Sequence, residues 1–371
     1  MKTRAAALLE QPGRWEVIDI ELAPPRSEEV LVRFKAAGLC HSDEHVATGD
    51  MPVGSTPIIG GHEGAGIVEE VGPGVTRFAP GDRVAAKFVP SCGNCPSCYR
   101  GKMNLCDLGM YALTGGMLDG TFRATHKGAD VSQMTMLGTF AEHAVVPQYS
   151  LVKIPDDVSF EAAALVSCGV ATGWGSVEYA AQVAHGDTVI VMGVGGIGIN
   201  AVQAAAARGA AYVIAVDPVE FKRTKALELG ATHAYADIAE AADAARLLTN
   251  GQGADAAVVA VGVTTGEHVA QAFSAIAKQS TVVVTGIGDA AAVGLPINLW
   301  ELSMMEKRIQ GVIFGMGTPG FEVPRLLELY KAGRLKLDEL VTRRYRLDEI
   351  NAGYADMYAG KNIRGIIVHS E

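Results

Sequence analysis

Short apolar runs, each closed by glycine or proline, punctuate the first 150 residues of the chain. Clear examples are residues 29–34, 66–71 and 83–85. Runs of this length between turn residues are typical of β-strands. The pattern predicts a small, β-rich and partly barrel-like domain.

From about residue 186 the pattern changes, and apolar runs alternate with alanine-rich helical segments. Six of these runs predict strands, at residues 188–192, 212–216, 233–236, 256–261, 281–285 and 309–314. Strands separated by helices of suitable length form a parallel, doubly wound sheet. The fold class predicted for this part of the chain is therefore α/β.

The C-terminal segment of the chain has the same pattern of short apolar runs as the first 150 residues. It predicts a helix over residues 321–331 and short strands over residues 345–347 and 365–369. Because these short strands resemble those of the first 150 residues, we expect the tail to rejoin that domain.

Composition and charge favour a compact protein that binds small molecules. The 371 residues exceed what one hydrophobic core usually fills, and 49% hydrophobic with only 19% charged residues excludes a disordered chain. The formal net charge of −10 offers no basic surface for nucleic acid or a membrane. The expected partners are small molecules and copies of the chain itself, in a dimer or tetramer. The apolar run at residues 5–9 is too short for a secretory signal, so we expect a cytoplasmic location.

A glycine-rich turn follows the predicted strand at 188–192 and opens an alanine-rich helix. Its residues are Gly193, Val194, Gly195, Gly196, Ile197 and Gly198. Glycines at this spacing allow a tight turn, the approach of backbone amides to a pyrophosphate and close packing of helix on strand. A second match at residues 315–320 lacks a following strand that ends in an acid, so we interpret it as a turn.

Asp217 ends the next predicted strand, where it would accept hydrogen bonds from an adenosine ribose. Its charge argues for NAD over NADP, because two like charges about 4 Å apart repel by about 4 kcal/mol at an effective dielectric near 20. The positive charge of Lys222, five residues later, opposes this preference for NAD. The alternative for Asp217 is a solvated acid at a strand end.

Four of the six cysteines fall within fifteen residues, as Cys92, Cys95, Cys98 and Cys106. Four thiolates satisfy tetrahedral zinc completely, so the cluster predicts a structural zinc site rather than disulfides. Cys40, Cys168 and His62 could form a second zinc site with one open position. Their spacing cannot establish that they converge. A lone buried cysteine is ordinarily a small hydrophobic residue, and a lone histidine is more often a core or surface residue than a ligand.

Residues 61–75 match the pattern G-H-E-x2-G-x5-G-x2-V. With residues 40–43, the four-cysteine segment and the glycine turn, they resemble a zinc-dependent alcohol dehydrogenase of the medium-chain dehydrogenase/reductase superfamily. The resemblance covers essentially the whole chain. It implies a GroES-like catalytic domain at residues 1–169 and 314–371 and a Rossmann NAD-binding domain at 170–313. The implied activity is reversible hydride transfer between a primary aliphatic or aromatic alcohol and NAD.

The resemblance also implies a role for individual residues. Two zinc ions per chain are expected, the catalytic one on Cys40, His62 and Cys168, with Glu63 as a nearby carboxylate and Asp43 orienting His62. Ser42 would meet the substrate hydroxyl, and His45 would end a proton relay. The implied cofactor contacts are His41, Thr172, Gly286, Ile287, Lys222 and Arg364. The implied substrate pocket comprises Phe88, Met136, Leu137 and Ile287, for which ordinary core packing is the alternative.

Residues 216–222 and 173–175 are most similar to an actinobacterial branch of nicotinoprotein alcohol dehydrogenases. That branch keeps NAD bound and passes electrons to an external acceptor, such as N,N-dimethyl-4-nitrosoaniline (NDMA) or a mycofactocin-type carrier. Two alternatives stay open at the level of sequence. One is a thiol-dependent formaldehyde dehydrogenase, and the other is a non-catalytic dinucleotide-binding sensor of redox state or zinc.

Overall fold

The computed structural model describes residues 1–369. The strands in this range are β1 (Lys2–Leu8), β2 (Trp15–Leu22), β3 (Glu29–Gly38), β4 (Ile58–Ile59), β5 (Gly64–Val71), β6 (Arg83–Ala86), β7 (Ala124–His126), β8 (Ala129–Gln133), β9 (His143–Pro147), β10 (Leu151–Lys153), β11 (Thr188–Met192), β12 (Tyr212–Val216), β13 (His233–Tyr235), β14 (Ala254–Val259), β15 (Ile276–Val284), β16 (Arg308–Gly311), β17 (Val341–Tyr345) and β18 (Arg364–Val368).

The α-helices are α1 (His41–Thr48), α2 (Pro96–Tyr99), α3 (Phe160–Leu165), α4 (Ala171–Gly175), α5 (Gly198–Ala207), α6 (Glu220–Glu228), α7 (Ile238–Leu248), α8 (Gly266–Ala275), α9 (Leu299–Met304), α10 (Pro319–Lys331) and α11 (Ile350–Tyr358). Two π-helical turns, Val166–Val170 and Ser176–Ala181, flank α4. No helix within residues 1–369 combines the length and the apolar character that crossing a membrane requires.

The chain forms two compact units. The first consists of Met1–Cys168 together with the segment from Thr318 onward. It contains a closed barrel, ordered β1-β2-β7-β8-β4, and a sheet ordered β10-β6-β5-β3-β18-β17 in which β9 also pairs with β3. β2 alternates buried and exposed positions, as expected of a strand with one face against a core. The tail enters this unit through β18, which pairs antiparallel with β3.

The second unit, Gly169–Gly317, contains a six-stranded parallel sheet in the order β13-β12-β11-β14-β15-β16. Every residue of the central strand β11 is buried. This is the expected result for a strand covered on both faces, and it explains why this strand reads as an unbroken apolar run. The order reverses beside β11, which is where ligands bind in sheets of this kind. The predicted α/β class, a Rossmann sheet plus a β-rich domain, is confirmed.

Three of the predicted strands end two or three residues earlier in the structure. The strand predicted at 345–347 ends at Tyr345, because the Glu349 carboxylate accepts the Arg346 amide at 2.9 Å and starts a helical turn. The strand predicted at 309–314 ends at Gly311. Phe314 and Met316 have φ of 53° and 63°, a left-handed backbone that cannot continue a strand. The strand predicted at 256–261 ends at Val259.

The second glycine pattern, at residues 315–320, is a turn, as predicted. Gly315 has φ of 59°, and a Cβ at this position would lie 2.6 Å from the carbonyl oxygen of Ala171 and 2.8 Å from Cα of Gly175. A side chain there is therefore excluded by close packing of the turn on α4. Gly315 therefore serves the packing of this turn, whereas a Cβ at Gly320 would meet open space.

Candidate metal centres and dinucleotide site

The four cysteines of the first cluster come together in a short lobe around α2. One ligand atom from each of Cys92, Cys95, Cys98 and Cys106 lies within 4.8 Å of the others. Cys95 caps α2, which begins with Pro96, and this local turn places two of the thiols side by side. All four are free thiols.

The spacing of these sulfurs fits a tetrahedral zinc ion. Four sulfurs bonded to one zinc at about 2.3 Å would lie about 3.8 Å apart. The Sγ atoms of Cys106 and Cys92 are 3.5 Å apart, those of Cys95 and Cys106 3.9 Å, and those of Cys92 and Cys98 4.0 Å. Backbone amides also point at the sulfurs, and that of Asp107 lowers the pKa of the Cys95 thiol to about 7. Such donors favour the thiolate form that binds metal.

A second cluster joins residues that are far apart in sequence. Ligand atoms of Cys40, His62, Glu63 and Cys168 lie within 4.8 Å of one another. Cys40 precedes α1 as its N-cap, His62 follows the loop after β4, and Cys168 lies in the π-helical turn after α3. π-Helical turns are rare in proteins, and those that do occur often lie at functional sites. The structure thus brings together the three residues whose convergence the sequence left open.

Asp43 holds His62 in place. Its Oδ1 lies 3.0 Å from Nδ1 of His62 and accepts the backbone amide of Gly61 at 3.1 Å. Asp43 is completely buried. A carboxylate only accepts, so Nδ1 carries the proton and leaves Nε2 as the ring nitrogen available to a metal.

Glu63 faces Arg364 as well as the cluster. An Arg364 guanidinium nitrogen donates to Glu63 Oε2, and both side chains are buried. Burial raises the pKa of Glu63 to about 7, against the opposing charge of Arg364. The structure therefore gives Arg364 a partner beside the second cluster, and its predicted contact with cofactor remains a prediction.

Two thiols and one imidazole are a donor set that suits zinc, with Glu63 as a fourth group of different character. The first cluster offers four equivalent thiols, which would close the coordination shell. The second offers three ligands and a replaceable fourth, which leaves room for a reacting molecule. The two clusters are thus chemically suited to different roles.

The predicted relay residues lie on α1, immediately after Cys40. Ser42 Oγ is 3.6 Å from Cys40 Sγ. His45 is buried, and its Nδ1 is 3.0 Å from Asp50 Oδ2. Sequence reasoning missed Asp50, whose one sequence signal is an acid directly after the glycine that ends the helix. The ring of His41 is 6.5 Å from that of His45.

The predicted pocket residues of the first unit are apolar, and two of them are fully buried. The ring of Phe88 packs edge-on against His62 at 5.6 Å. Leu137 is fully buried in a hydrophobic cluster that Phe88 also contacts, and Met136 is fully buried. Phe88 is therefore the pocket candidate with a direct contact to a candidate ligand.

The glycine turn has the geometry of a dinucleotide site. Gly193 has φ of 85°, and a Cβ there would lie 2.8 Å from the carbonyl oxygen of Ala260. A Cβ at Gly198 would overlap the carbonyl of Gly193, whereas at Gly195 the space is open. Glycine is needed in such a loop for three separate reasons: the tight backbone turn, the close packing of helix on strand and the open space through which a pyrophosphate approaches the backbone. Gly196 and Ile197 complete it, and Gly198 begins α5.

Asp217 lies just beyond the end of β12 and is 5% exposed. Its carboxylate accepts the amide of Val194 at 3.1 Å and that of Val219 at 2.9 Å, and Nζ of Lys222 is 4.0 Å away. Asp217 thus ties the glycine turn to the next strand, and the solvated acid considered as its alternative is not what the structure shows. Thr172 is buried on α4, while Gly286 and Ile287 follow β15, with Ile287 39% exposed.

Two family models match the chain. Residues 26–156 match an alcohol dehydrogenase GroES-like domain, and residues 196–332 match a zinc-binding dehydrogenase. An NDMA-dependent alcohol dehydrogenase of Amycolatopsis methanolica is 52% identical over 370 residues, covering 100% of both chains. A putative alcohol dehydrogenase D of Mycobacterium tuberculosis is 52% identical over 369 residues, again covering 100% of both.

Two solved structures are also similar to the chain over its whole length. An alcohol dehydrogenase zinc-binding domain protein from Burkholderia ambifaria matches with a TM-score of 0.93 and 32% identity. Benzyl alcohol dehydrogenase from Acinetobacter calcoaceticus matches with a TM-score of 0.92 and 29% identity. Each match covers 100% of both chains.

Proposed function

The chain belongs to the zinc-dependent alcohol dehydrogenases of the medium-chain dehydrogenase/reductase superfamily, and we propose that it oxidises a primary alcohol with an NAD that stays bound through turnover. Family membership implies zinc and a dinucleotide. Two zinc ions per chain, the choice of NAD over NADP, permanent binding and an external electron acceptor are the parts that we propose.

The observation that carries the catalytic assignment is the cluster of Cys40, His62, Glu63 and Cys168 beside Ser42. When bound, zinc supplies a Lewis acid that acidifies an alcohol hydroxyl, and NAD supplies the acceptor for the hydride. Cys40, His62 and Cys168 would hold the metal. Asp43 fixes the ring of His62, and Glu63 would be the nearby carboxylate able to exchange onto the metal.

The remaining chemistry belongs to side chains of α1. Ser42 would orient the alcohol and accept its hydroxyl proton, and His45 would deliver that proton toward solvent. Phe88, packed on His62, contributes an apolar wall that keeps water from the reacting carbon. For each alcohol oxidised, one hydride leaves the carbinol carbon and one proton leaves through these residues.

The relatives support the finer assignment. The relative from Amycolatopsis methanolica is named for dependence on NDMA, an artificial electron acceptor. A protein that reduces such an acceptor regenerates its own oxidised cofactor and has no need to release it. Asp217 supports NAD, because its carboxylate would repel the additional phosphate of NADP.

The test is the composition of the purified protein. Acid denaturation followed by elemental analysis and chromatography should give two zinc ions and about one NAD per chain. The protein should then oxidise a primary alcohol with NDMA and no added nucleotide. Protein that carries two zinc ions and no NAD, and that needs added NAD, would contradict the nicotinoprotein assignment alone.

A variant separates the two metal sites. His62→Ala should retain one zinc and a normal thermal transition while losing turnover, because the four-thiol site remains. His126→Ala, a histidine on β7, is the matched control and should keep both ions. Loss of both ions in His62→Ala would contradict two independent sites.

A further inference from the structure

Asp50, a residue with no role in the proposal so far, lies against the outer end of the relay. Its Oδ2 is 3.0 Å from Nδ1 of His45. The His45 side chain is 3% exposed and that of Asp50 is 37% exposed. One hydrogen bond therefore connects a buried imidazole with a carboxylate in contact with solvent.

The charge state of Asp50 determines the tautomer of His45. Hydrogen bonds from His45 and from Thr48, whose Oγ1 is 2.9 Å from Oδ2, lower the pKa of Asp50. An ionised carboxylate can only accept hydrogen bonds, so Nδ1 of His45 must carry a proton. In the neutral ring Nε2 is then the acceptor, and the ring is ready to take a proton there.

Resting on the proposed function, in which His45 ends the relay, we propose that Asp50 is the positioning residue of His45. It selects the tautomer whose Nε2 carries no proton, and it stabilises the imidazolium that forms when a proton arrives. The imidazolium then returns one proton to bulk water, so one proton enters and one leaves for each alcohol oxidised. This is the role of an acid that orients the histidine through which a proton passes.

Other charged and titratable groups also face this pair. Glu44 and His41 lie on the same helix, α1, with the ring of His41 6.5 Å from that of His45. Tyr358, at the end of α11, packs on His41 at 6.1 Å, and burial together with Glu44 and Asp50 raises its pKa to about 12. These groups stay in place in every variant below, so differences between variants report on Asp50 and His45.

Asp50 also has a structural neighbour that provides a control. Thr48 donates to the same oxygen and to the backbone carbonyl of His45 at 3.4 Å. Thr48→Val removes this contact and keeps the carboxylate. Asp50→Asn keeps the shape of the side chain and removes its charge.

The first measurement needs no turnover. Nitrogen NMR of the imidazole ring distinguishes the two neutral tautomers, and the His45 signal is assigned as the one missing from His45→Gln. Wild type and Thr48→Val should show Nδ1 protonated. Asp50→Asn should move the ring substantially toward the Nε2-protonated form, and an unchanged tautomer would overturn the proposal.

The second measurement is a single turnover of NAD-loaded protein, which follows nicotinamide reduction across pH 5.5–9.5. Asp50→Asn should lower the rate about tenfold, because the imidazolium loses its counter-charge. Thr48→Val should keep the wild-type rate. The double variant of Asp50→Asn and His45→Gln should be no slower than His45→Gln alone, since both changes act on one ring.

Additive losses in the double variant, with equal zinc content and thermal transitions, would overturn the inference. A wild-type rate in His45→Gln would overturn it as well, and would identify the proposed relay as the part that failed. A slow His45→Gln with a wild-type profile in Asp50→Asn would instead leave the relay intact and reject Asp50.

Discussion

Glu63 and Arg364 form an ion pair that protein encloses on all sides. The two side chains are 0% and 3% exposed, although 301 positions separate them in sequence. A Cβ at Gly38 would overlap Glu63 Oε2 and lie 2.9 Å from Arg364 Nη2, so glycine at this position in β3 makes room for the pair. Burying two charges costs free energy, which the close contact between them offsets.

Removing one member of this pair should be costly. Arg364→Leu leaves Glu63 buried without its guanidinium partner and should lower the free energy of unfolding by about 3–5 kcal/mol, measured by urea denaturation. Arg344→Leu is the matched control, because Arg344 is 60% exposed and its pair with Glu161 should contribute about 0–1 kcal/mol. Equal losses in the two variants would contradict the special position of the buried pair.

The four-thiol lobe should act as a folding element. Cys98→Ser should remove one zinc of two and lower the temperature of thermal unfolding, since metal affinity at a closed site contributes to folding free energy. Ser97→Ala, which removes a neighbouring hydroxyl bonded to Asp107 at 2.7 Å, should keep both ions. Elemental analysis and calorimetry check this prediction, and wild-type stability in Cys98→Ser would refute it.

Cofactor choice should depend on Asp217. Asp217→Ala removes an acceptor for the adenosine ribose and a charge that repels a phosphate, so NAD should bind more weakly and the gap to NADP should narrow. The measurement is the dissociation constant of each nucleotide with protein stripped of its own cofactor. Asp243→Ala, an acid on α7 that is 77% exposed, should leave both constants unchanged. Tighter binding of NADP than NAD by the wild type would show that Asp217 does not set the preference.

His369 should make the protein sensitive to mild acid. It is buried, its Nε2 lies 3.1 Å from the carbonyl oxygen of Thr139, and burial lowers its pKa to about 4. Between pH 4 and the ordinary histidine pKa of about 6.5, the unfolded chain binds a proton that the folded chain does not. Folding stability therefore rises with pH across this window, by about 3 kcal/mol in total from this residue.

His369→Gln should flatten that part of the profile of unfolding free energy against pH. The more exposed His126, on β7, provides the control variant His126→Gln, which should keep the wild-type slope. An identical slope in His369→Gln and wild type would mean that another group titrates in this window.

Features that depend on neighbours in sequence were predictable. The predicted strands at 188–192 and 212–216 coincide with β11 and β12, because a strand buried on both faces needs an unbroken apolar run. The glycine turn and the C-x2-C-x2-C lobe are local in the same sense. The spacing of these residues determines the backbone geometry of a short segment, independently of the rest of the chain.

The predicted strand ends were less accurate where local hydrogen bonds or packing contacts favour a conformation other than a strand. The capping of Arg346 by Glu349 ends β17, and the left-handed backbone at residues 314–316 cannot belong to the strand predicted up to residue 314. Apolar character alone predicts a strand at both places. The decisive interaction in each case is a local hydrogen bond or a packing contact that hydrophobicity does not encode.

The sequence by itself determined the α/β class, the glycine turn with Asp217 and the four-thiol lobe, and its resemblance to a family supplied the expected roles. Only the tertiary structure decided that Cys40, His62 and Cys168 meet, that Arg364 pairs with Glu63 and that Asp50 faces His45. The physical reason is range. Periodicity and spacing reflect the geometry of residues that are close in sequence. Contacts between residues that are far apart in sequence arise from the packing of whole strands and helices, which no single segment of the sequence specifies.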